Sequence, residues 1–147
     1  MKKFVFSLEK VLGYKQQLLG MLKNELAALQ ARRLELEGQI RSTELQFDSN
    51  NRVLIDKMGL GMSRRDIASY KTFLAELNLR INSLTGDLRS LEWEITAKQE
   101  EIVHMNSDIS GLEHLKERQL ASYRSEARKE QETLIEEFVS HAAGRTG

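Results

Sequence analysis

The chain has 147 residues, of which 40% are hydrophobic, 30% charged and 6% aromatic. This is the length of one domain, but the apolar content is small for a globular core and suits a long, thin fold. Basic and acidic residues balance at 22 each, so the net charge gives no reason to expect nucleic acid or an anionic membrane as the main partner. Without cysteine, the chain can form neither disulfides nor thiolate metal sites.

The first ten residues, MKKFVFSLEK, begin like a secretory signal, with two lysines before an apolar stretch. Glu9 and Lys10 interrupt that stretch too early for a signal peptide. No apolar run approaches the ~20 residues that a membrane-spanning helix requires. We therefore expect a soluble protein in the cytoplasm, a location that also fits the lack of cysteine.

A seven-residue repeat predicts a first helix over residues 4–57. Its first row, position a of the heptad, is Val5, Leu12, Leu19, Leu26, Arg33, Ile40, Phe47 and Leu54. Its second row, position d, is Leu8, Lys15, Leu22, Leu29, Leu36, Thr43 and Asn50. We call the stripe formed by these two rows the seam. Polar residues interrupt the seam at several positions, so the heptad register is defined less clearly here than in the second helix.

The segment KMGLGMSRRD contains Gly59 and Gly61 but matches neither a Walker phosphate loop nor a dinucleotide-binding loop. Ser63, with Asp66 three residues later, is instead the pattern of a helix start whose side chains satisfy free amide groups. We therefore predict a turn over residues 58–63 and a new helix from residue 64.

The second predicted helix, residues 64–141, has the more regular repeat. Its a row is Ile67, Leu74, Ile81, Leu88, Ile95, Ile102 and Ile109. Its d row is Tyr70, Leu77, Leu84, Leu91, Lys98, Met105 and Leu112, which is apolar at every place except Lys98.

The short turn forces the two helices to pack antiparallel. We predict an all-α fold, a long antiparallel two-helix coiled-coil hairpin that forms a single domain over residues 1–147. Pairing outward from the turn puts Phe4 beside about residue 118, so helix two overhangs over residues 119–140 and the tail 142–147 frays. The alternative is a parallel homodimer, which Ile at a and Leu at d favour.

The sequence offers little for catalysis. Glu101 and His104 have the Glu-x-x-His spacing of di-iron sites, but they fall at g and c positions outside the seam, where solvated side chains are usual. We find no nucleophile with a base and no metal cluster, and two helices build no concave pocket. We expect no enzymatic activity, no metal and no cofactor.

Several large apolar residues lie off the seam, where a hairpin without partners would carry charge. Phe73 falls at a g position, and Leu79 and Trp93 fall at f positions. A local stutter that turns Phe73 inward is the alternative interpretation for that residue. Tyr14, Leu18 and Met21 widen the apolar face of helix one, which suggests that a partner packs there.

The chain resembles the FliJ family of flagellar type III export proteins. The opening FVFSLEKVLGYKQQ is similar to the family's F-x-F-x-L-x-x-V-L start, and DKMGLGMSRRDIASYKTFLAELNLRI contains an M-G-x-G turn followed by Tyr70, Phe73, Leu77 and Ile81. Length and hairpin layout match over essentially the whole chain. Gln46 and Asn50 depart from the family, whose members tend to carry aromatics there.

The resemblance implies a stalk-like component, similar in shape to the gamma subunit of the rotary ATP synthase, that couples the hexameric export ATPase to the export gate. The partners implied are that ATPase, the cytoplasmic domain of the gate and export chaperones, with peripheral association at the inner membrane through partners only. The implied gate-binding patch is Tyr70, Phe73 and Leu77. The implied ATPase-binding end is Phe4, Phe6, Tyr14, Leu18, Met21, Leu134 and Phe138. The alternative function is a generic coiled-coil scaffold or holdase chaperone.

Overall fold

The computed structural model describes the backbone of residues 2–146 and the side chains of residues 2–144. Two helices account for nearly all of it: α1, Glu9–Leu60, and α2, Arg64–Thr146. They pack against each other, which confirms the all-α antiparallel hairpin. Contacts divide the chain into two compact units, one formed by residues 22–101 and the other by residues up to 21 together with those from 102 onward. We call them the turn unit and the open unit; the single domain stays a prediction.

The turn unit shows antiparallel pairing through its cross-helix contacts. Lys57 Nζ lies 2.8 Å from the Tyr70 hydroxyl, and Lys98 Nζ lies 2.7 Å from a Glu25 carboxylate oxygen. As the residue number falls along α1, the number of its partner on α2 rises. Between these polar contacts the core is built from Leu36, Leu91 and Ile95, which belong to the predicted seam.

One polar residue is buried in the turn unit without breaking this packing. Thr43 occupies a d position and is only 4% exposed, but its hydroxyl donates to the Gln39 carbonyl at 2.7 Å. A buried hydroxyl that bonds to its own helix avoids the cost of an unsatisfied polar group. The seam therefore tolerates threonine at this layer.

The open unit has a separate core, formed by Phe6, Leu12 and Ile109 with half-buried neighbours on both sides. Its cross-helix ion pairs, Lys15 with Asp108 and Glu9 with Lys116, each have a nitrogen-to-oxygen distance of 2.8 Å. They repeat the antiparallel pattern within this unit. Burial of each large apolar side chain contributes about 1.5–3 kcal/mol.

The prediction that the first helix begins at residue 4 is wrong, because α1 begins at Glu9. The amide of Glu9 donates to the Phe6 carbonyl at 3.1 Å, which makes a turn just before the helix. Val5, predicted in the seam, is 78% exposed, whereas Phe6 is 4% exposed in the core. Aromatic and β-branched residues such as those of the segment Phe-Val-Phe are weak helix formers. In an extended segment, alternate side chains point to the same side of the backbone, so Phe4 and Phe6 share one side and Val5 takes the other.

The turn is shorter than predicted. Helix α1 continues through Gly59 to Leu60, and only residues 61–63 separate it from α2. Gly61 has a φ of 98°, the left-handed conformation typical of a residue that ends a helix, and its amide donates to the Met58 carbonyl at 3.2 Å. Ser63 caps α2 as expected, since its Oγ accepts from the Asp66 amide at 3.2 Å.

The predicted pairing of Phe4 with about residue 118 is wrong, since its ring lies 5.5 Å from that of Tyr123. The non-helical residues before Glu9 cover more distance per residue than a helix and so reach farther along α2. The overhang accordingly begins beyond Tyr123 and not at residue 119. Helix α2 also extends to Thr146 through most of the predicted fraying tail, of which Gly147 lies outside the described residues.

Candidate binding surfaces

The predicted gate-binding patch lies in the turn unit and has one exposed member. Phe73 is 43% exposed, which agrees with a position outside the seam and contradicts the inward stutter. Leu77 is buried in the core, and Tyr70 is half-buried, with its hydroxyl accepting from Lys57. This hydrogen bond raises the pKa of Lys57. Phe73 is therefore the anchor that a partner could bury.

Sequence reasoning missed a residue beside this patch. Val53 occupies a g position of α1, as Phe73 does on α2, and antiparallel pairing places g positions of the two helices on the same side. Val53 is 39% exposed, so it extends the apolar surface around Phe73 onto α1. Its heptad position was the signal available in the sequence. Farther from the turn, α1 carries the polar residues Gln46 and Asn50. The Asn50 side-chain amide donates to the backbone carbonyl of Gln46 at 2.7 Å.

A shallow cleft of about 560 Å³ opens beside the turn. Its walls include Lys57, Leu60 and Tyr70. Leu60 is 90% exposed, and Met58 two residues earlier is 46% exposed. The end of α1 thus adds apolar surface at the turn, beyond the off-seam residues predicted from the sequence.

The open unit carries an apolar stripe along the outside of α1. Tyr14 is 62% and Met21 58% exposed, with Leu18 half-buried between them. Val11, which sequence reasoning missed, is 41% exposed and continues the stripe at the same three-four spacing. This spacing puts all four on one helix face, as a second seam for a further helix would require.

The other residues assigned to the ATPase-binding end are not part of this stripe. Phe6 is in the core, and Phe4 is half-buried against Tyr123. Leu134 and Phe138 are 60% and 75% exposed and lie on α2 beyond the level of Phe4. With Ile135 and Val139, which are also exposed, they form a separate group that we call the overhang cluster.

The charged groups form cross-helix pairs at the surface. Lys98, at its d position, contacts Glu25 and also Glu101, whose carboxylate lies 3.6 Å away. The hydrogen bond to Glu25 is the largest cause of a raised pKa at Lys98. Glu101, considered above with His104, thus forms an ion pair with Lys98.

Among the described residues no group of three or more His, Cys, Asp or Glu side chains is placed to hold a metal ion.

The fold and these surfaces define a coiled-coil protein with several apolar faces available to partners. A family model described as "Flagellar FliJ protein" matches residues 4–147, and the chain belongs to the FliJ family. It is therefore a flagellar export-related protein, and its family is a non-catalytic one. No curated protein and no solved structure matches the chain. Among the described residues, no helix is both long and apolar enough to cross a membrane.

Proposed function

We propose that the protein is a non-enzymatic stalk that couples the hexameric export ATPase to the cytoplasmic domain of the export gate and assists export chaperones. The observation that carries this proposal is that a FliJ-family hairpin exposes separate apolar surfaces in its two units. Isolated proteins rarely leave large apolar side chains grouped at the surface without a partner. On this proposal the protein works in the cytoplasm and is peripheral at the inner membrane through its partners only.

The turn unit would supply the gate contact. Phe73 and Val53 lie on the same side and are both exposed by about two fifths. An aromatic anchor of this kind typically contributes a few kcal/mol when a partner buries it. Tyr70 would border the contact, while Leu77 would support it from the core.

The open unit would supply the ATPase contact through the stripe Val11, Tyr14, Leu18 and Met21 and through the overhang cluster. Helices that already pair along one face and expose a second heptad-spaced face can pack a third helix there. Phe4 and Phe6 would hold the start of the chain against α2 and so position the stripe. Since α2 continues through both units, it offers a continuous element along which ATPase binding could affect the gate contact.

The gate contact is tested by titrating Phe73→Ala and Val53→Ala against the isolated cytoplasmic domain of the gate. We expect at least a tenfold loss of affinity for Phe73→Ala and a smaller loss for Val53→Ala. The matched control is Leu45→Ala, which removes a leucine that is 69% exposed on α1 away from this patch. Unchanged binding of Phe73→Ala would refute the assignment of the patch.

The ATPase contact is tested with Tyr14→Ala and with a chain that ends at residue 127. Both should weaken binding to the ATPase hexamer and reduce stimulation of its activity, whereas Leu45→Ala should do neither. If the truncated chain binds and stimulates like the full chain, the overhang cluster has no part in the contact.

A generic holdase is the second candidate, favoured by the dispersed exposed residues such as Leu34 and Leu45. The two functions differ in stoichiometry and selectivity. A stalk binds one defined ATPase at a fixed ratio, whereas a holdase suppresses the aggregation of unrelated unfolded proteins. Suppression of aggregation without ATPase binding would replace the stalk proposal.

A further inference from the structure

The tip of the hairpin, which we define as residues 52–71, exposes apolar side chains that the seam does not use. Leu60, the last residue of α1, is 90% exposed, and Ile55 and Met58 are 59% and 46% exposed. Leu60 lies where the chain reverses direction, so it stands at the end of the turn unit. Contact with an apolar environment would remove the cost of keeping these side chains in water.

Cations are concentrated in the same part of the chain. The tip carries five basic and two acidic side chains, a net charge of +3, although the whole chain is neutral. All of its basic residues are exposed, and they are Arg52, Lys57, Arg64, Arg65 and Lys71. The excess of positive charge is therefore a local property of the tip, which the balanced composition of the whole chain conceals.

No carboxylate of the described residues forms an ion pair with these cations. Other lysines of the hairpin do pair across the helices, as Lys15 does with Asp108 and Lys98 with Glu25. Lys57 donates instead to the uncharged hydroxyl of Tyr70 at 2.8 Å, and this bond raises the pKa of Lys57 and so keeps it charged. The cations of the tip are thus available to the anionic groups of a partner.

These cations surround the tip and do not line one side of it. Arg52 and Arg65 occupy f positions, which lie opposite the seam on α1 and α2, so they are on opposite outer faces of the hairpin. Lys71 occupies an e position, on a flank between those faces. An acidic segment of a protein would contact one side and leave the other cations unpaired. An anionic surface that meets the tip at its end can attract all of them.

The dimensions of the tip suit the surface of a bilayer. Apolar side chains of interfacial segments are buried about 5–10 Å into the boundary between headgroups and acyl chains. Insertion of Leu60 would bring Arg64, at the start of α2, to the level of the lipid phosphates. Arg52 and Lys71 lie roughly 10–12 Å along their helices from the turn. They would stay within about one Debye length, ~10 Å, of the charged surface.

We propose that the tip binds the surface of a membrane that contains anionic phospholipids, with Leu60 and Met58 entering the headgroup boundary and the five cations attracted to lipid phosphates. This inference goes beyond the proposed function, in which partners bring the protein to the inner membrane. The contact is weak, because it has few apolar residues, and it forms once those partners hold the turn near the bilayer. It does not use Phe73, so it is separate from the gate contact.

Flotation of the full chain with lipid vesicles tests the proposal. We expect binding to vesicles made of equal parts phosphatidylglycerol and phosphatidylcholine, and far weaker binding to phosphatidylcholine alone. Binding should fall as salt is added, because salt screens the attraction between the cations and the phosphates. Equal binding to both kinds of vesicle, or binding to neither, would overturn the proposal.

Charge variants show which part of the chain makes the contact. Arg64→Gln with Arg65→Gln should weaken vesicle binding about 25-fold, since each basic residue near an anionic surface contributes about fivefold. The matched control is Arg41→Gln with Arg89→Gln, which removes two exposed arginines of the turn unit outside the tip. If the control pair weakens binding as much as the tip pair, the attraction is not specific to the tip and the proposal is wrong.

Apolar variants test insertion. Leu60→Ser should weaken vesicle binding at least tenfold. Leu45→Ser, which changes a leucine 69% exposed on α1 outside the tip, should not. Trp93 is the only tryptophan, so its replacement by phenylalanine gives a dark background. In that background Leu60→Trp should shift its fluorescence to the blue when anionic vesicles are added, whereas Leu45→Trp should not. The absence of a shift for Leu60→Trp would show that the tip does not insert.

Two further measurements separate this proposal from its alternatives. Melting curves of every variant distinguish an effect on membrane binding from an effect on folding. Titration with poly-glutamate tests an acidic protein as the occupant of the tip. Binding of poly-glutamate without binding of anionic vesicles would replace the membrane with an acidic protein and overturn the proposal.

Discussion

Phe73 and Leu77 are one helical turn apart on α2 but have different surroundings. Leu77 is 6% exposed at a d position, whereas Phe73 is 43% exposed at a g position. The heptad register predicted this difference, because it depends only on where each residue falls in a regular repeat. Side-chain identity alone would have put both residues in the core.

The first prediction uses this pair. Leu77→Ala should reduce the free energy of unfolding by about 2–5 kcal/mol, because it leaves a cavity in the seam. Phe73→Ala should change it far less, because much of its side chain remains in water in the folded state. Urea unfolding of both variants measures the difference. Equal destabilisation would show that Phe73 is a core residue and that the register is wrong.

The second prediction concerns Asp108, whose carboxylate accepts from Lys15 Nζ at 2.8 Å. This hydrogen bond lowers the pKa of Asp108 from its usual value of 3.8. A carboxyl whose pKa is lower in the folded state stabilises the fold above pH 3.8, and this contribution is lost as the pH falls through the lowered value. Lys15→Met should return the pKa towards 3.8 and remove this component of acid sensitivity.

Carboxyl NMR of Asp108 during an acid titration measures that shift directly. Lys10→Met is the control, since it removes a lysine of the same unit that does not contact Asp108. A carboxyl pKa that is the same in wild type and Lys15→Met would contradict the role of the ion pair.

Among the elements, the two helices were predictable and their ends were not. A repeat sustained over many turns specifies the buried face, so Leu36, Leu91 and Ile95 could be identified from the sequence. An end depends on a few local bonds instead. The heptad predicts Val5 in the core, but the Phe6 to Glu9 turn places Phe6 there.

The candidate binding surfaces were likewise predictable only in part from the sequence. The exposure of Phe73 and Tyr14 follows from their heptad positions outside the seam. The exposure of Phe138 follows from the lack of a facing helix. The burial of Phe6 was not predicted, because it depends on a non-helical segment that no periodicity indicates. Val53 was missed because its importance comes from pairing across the hairpin.

The third prediction separates the two glycines near the turn. Gly61→Ala should destabilise the protein by about 1 kcal/mol or more, because its φ of 98° is unfavourable for alanine. Gly59→Ala should stabilise it by about 0.5–1 kcal/mol, because Gly59 is helical and has open space around it. Thermal unfolding of both variants is the measurement. The same sign of change in both would contradict the observed end of α1.

For the whole molecule, the burial pattern predicts unequal local stability along α2. Every residue from 131 to 144 is exposed, whereas Leu91, Ile95 and Ile109 are in the two cores. Backbone hydrogen bonds without packing open easily, so amide exchange should be fast after about residue 130 and slow from 88 to 112. Truncation at residue 127 should leave the melting temperature nearly unchanged. Strong protection of the last two turns would contradict this and point to an unrecognised contact.

The cross-helix contacts also determine a folding order. Lys57 and Tyr70 are 13 residues apart in sequence, Glu25 and Lys98 are 73 apart, and Lys2 and Tyr123 are 121 apart. Closing a short loop costs less entropy than closing a long one, and each pair that forms shortens the loop to the next. We therefore expect the hairpin to zip from the turn, so that of these three contacts the one between Lys2 and Tyr123 forms last and is the first to be lost when the chain begins to unfold.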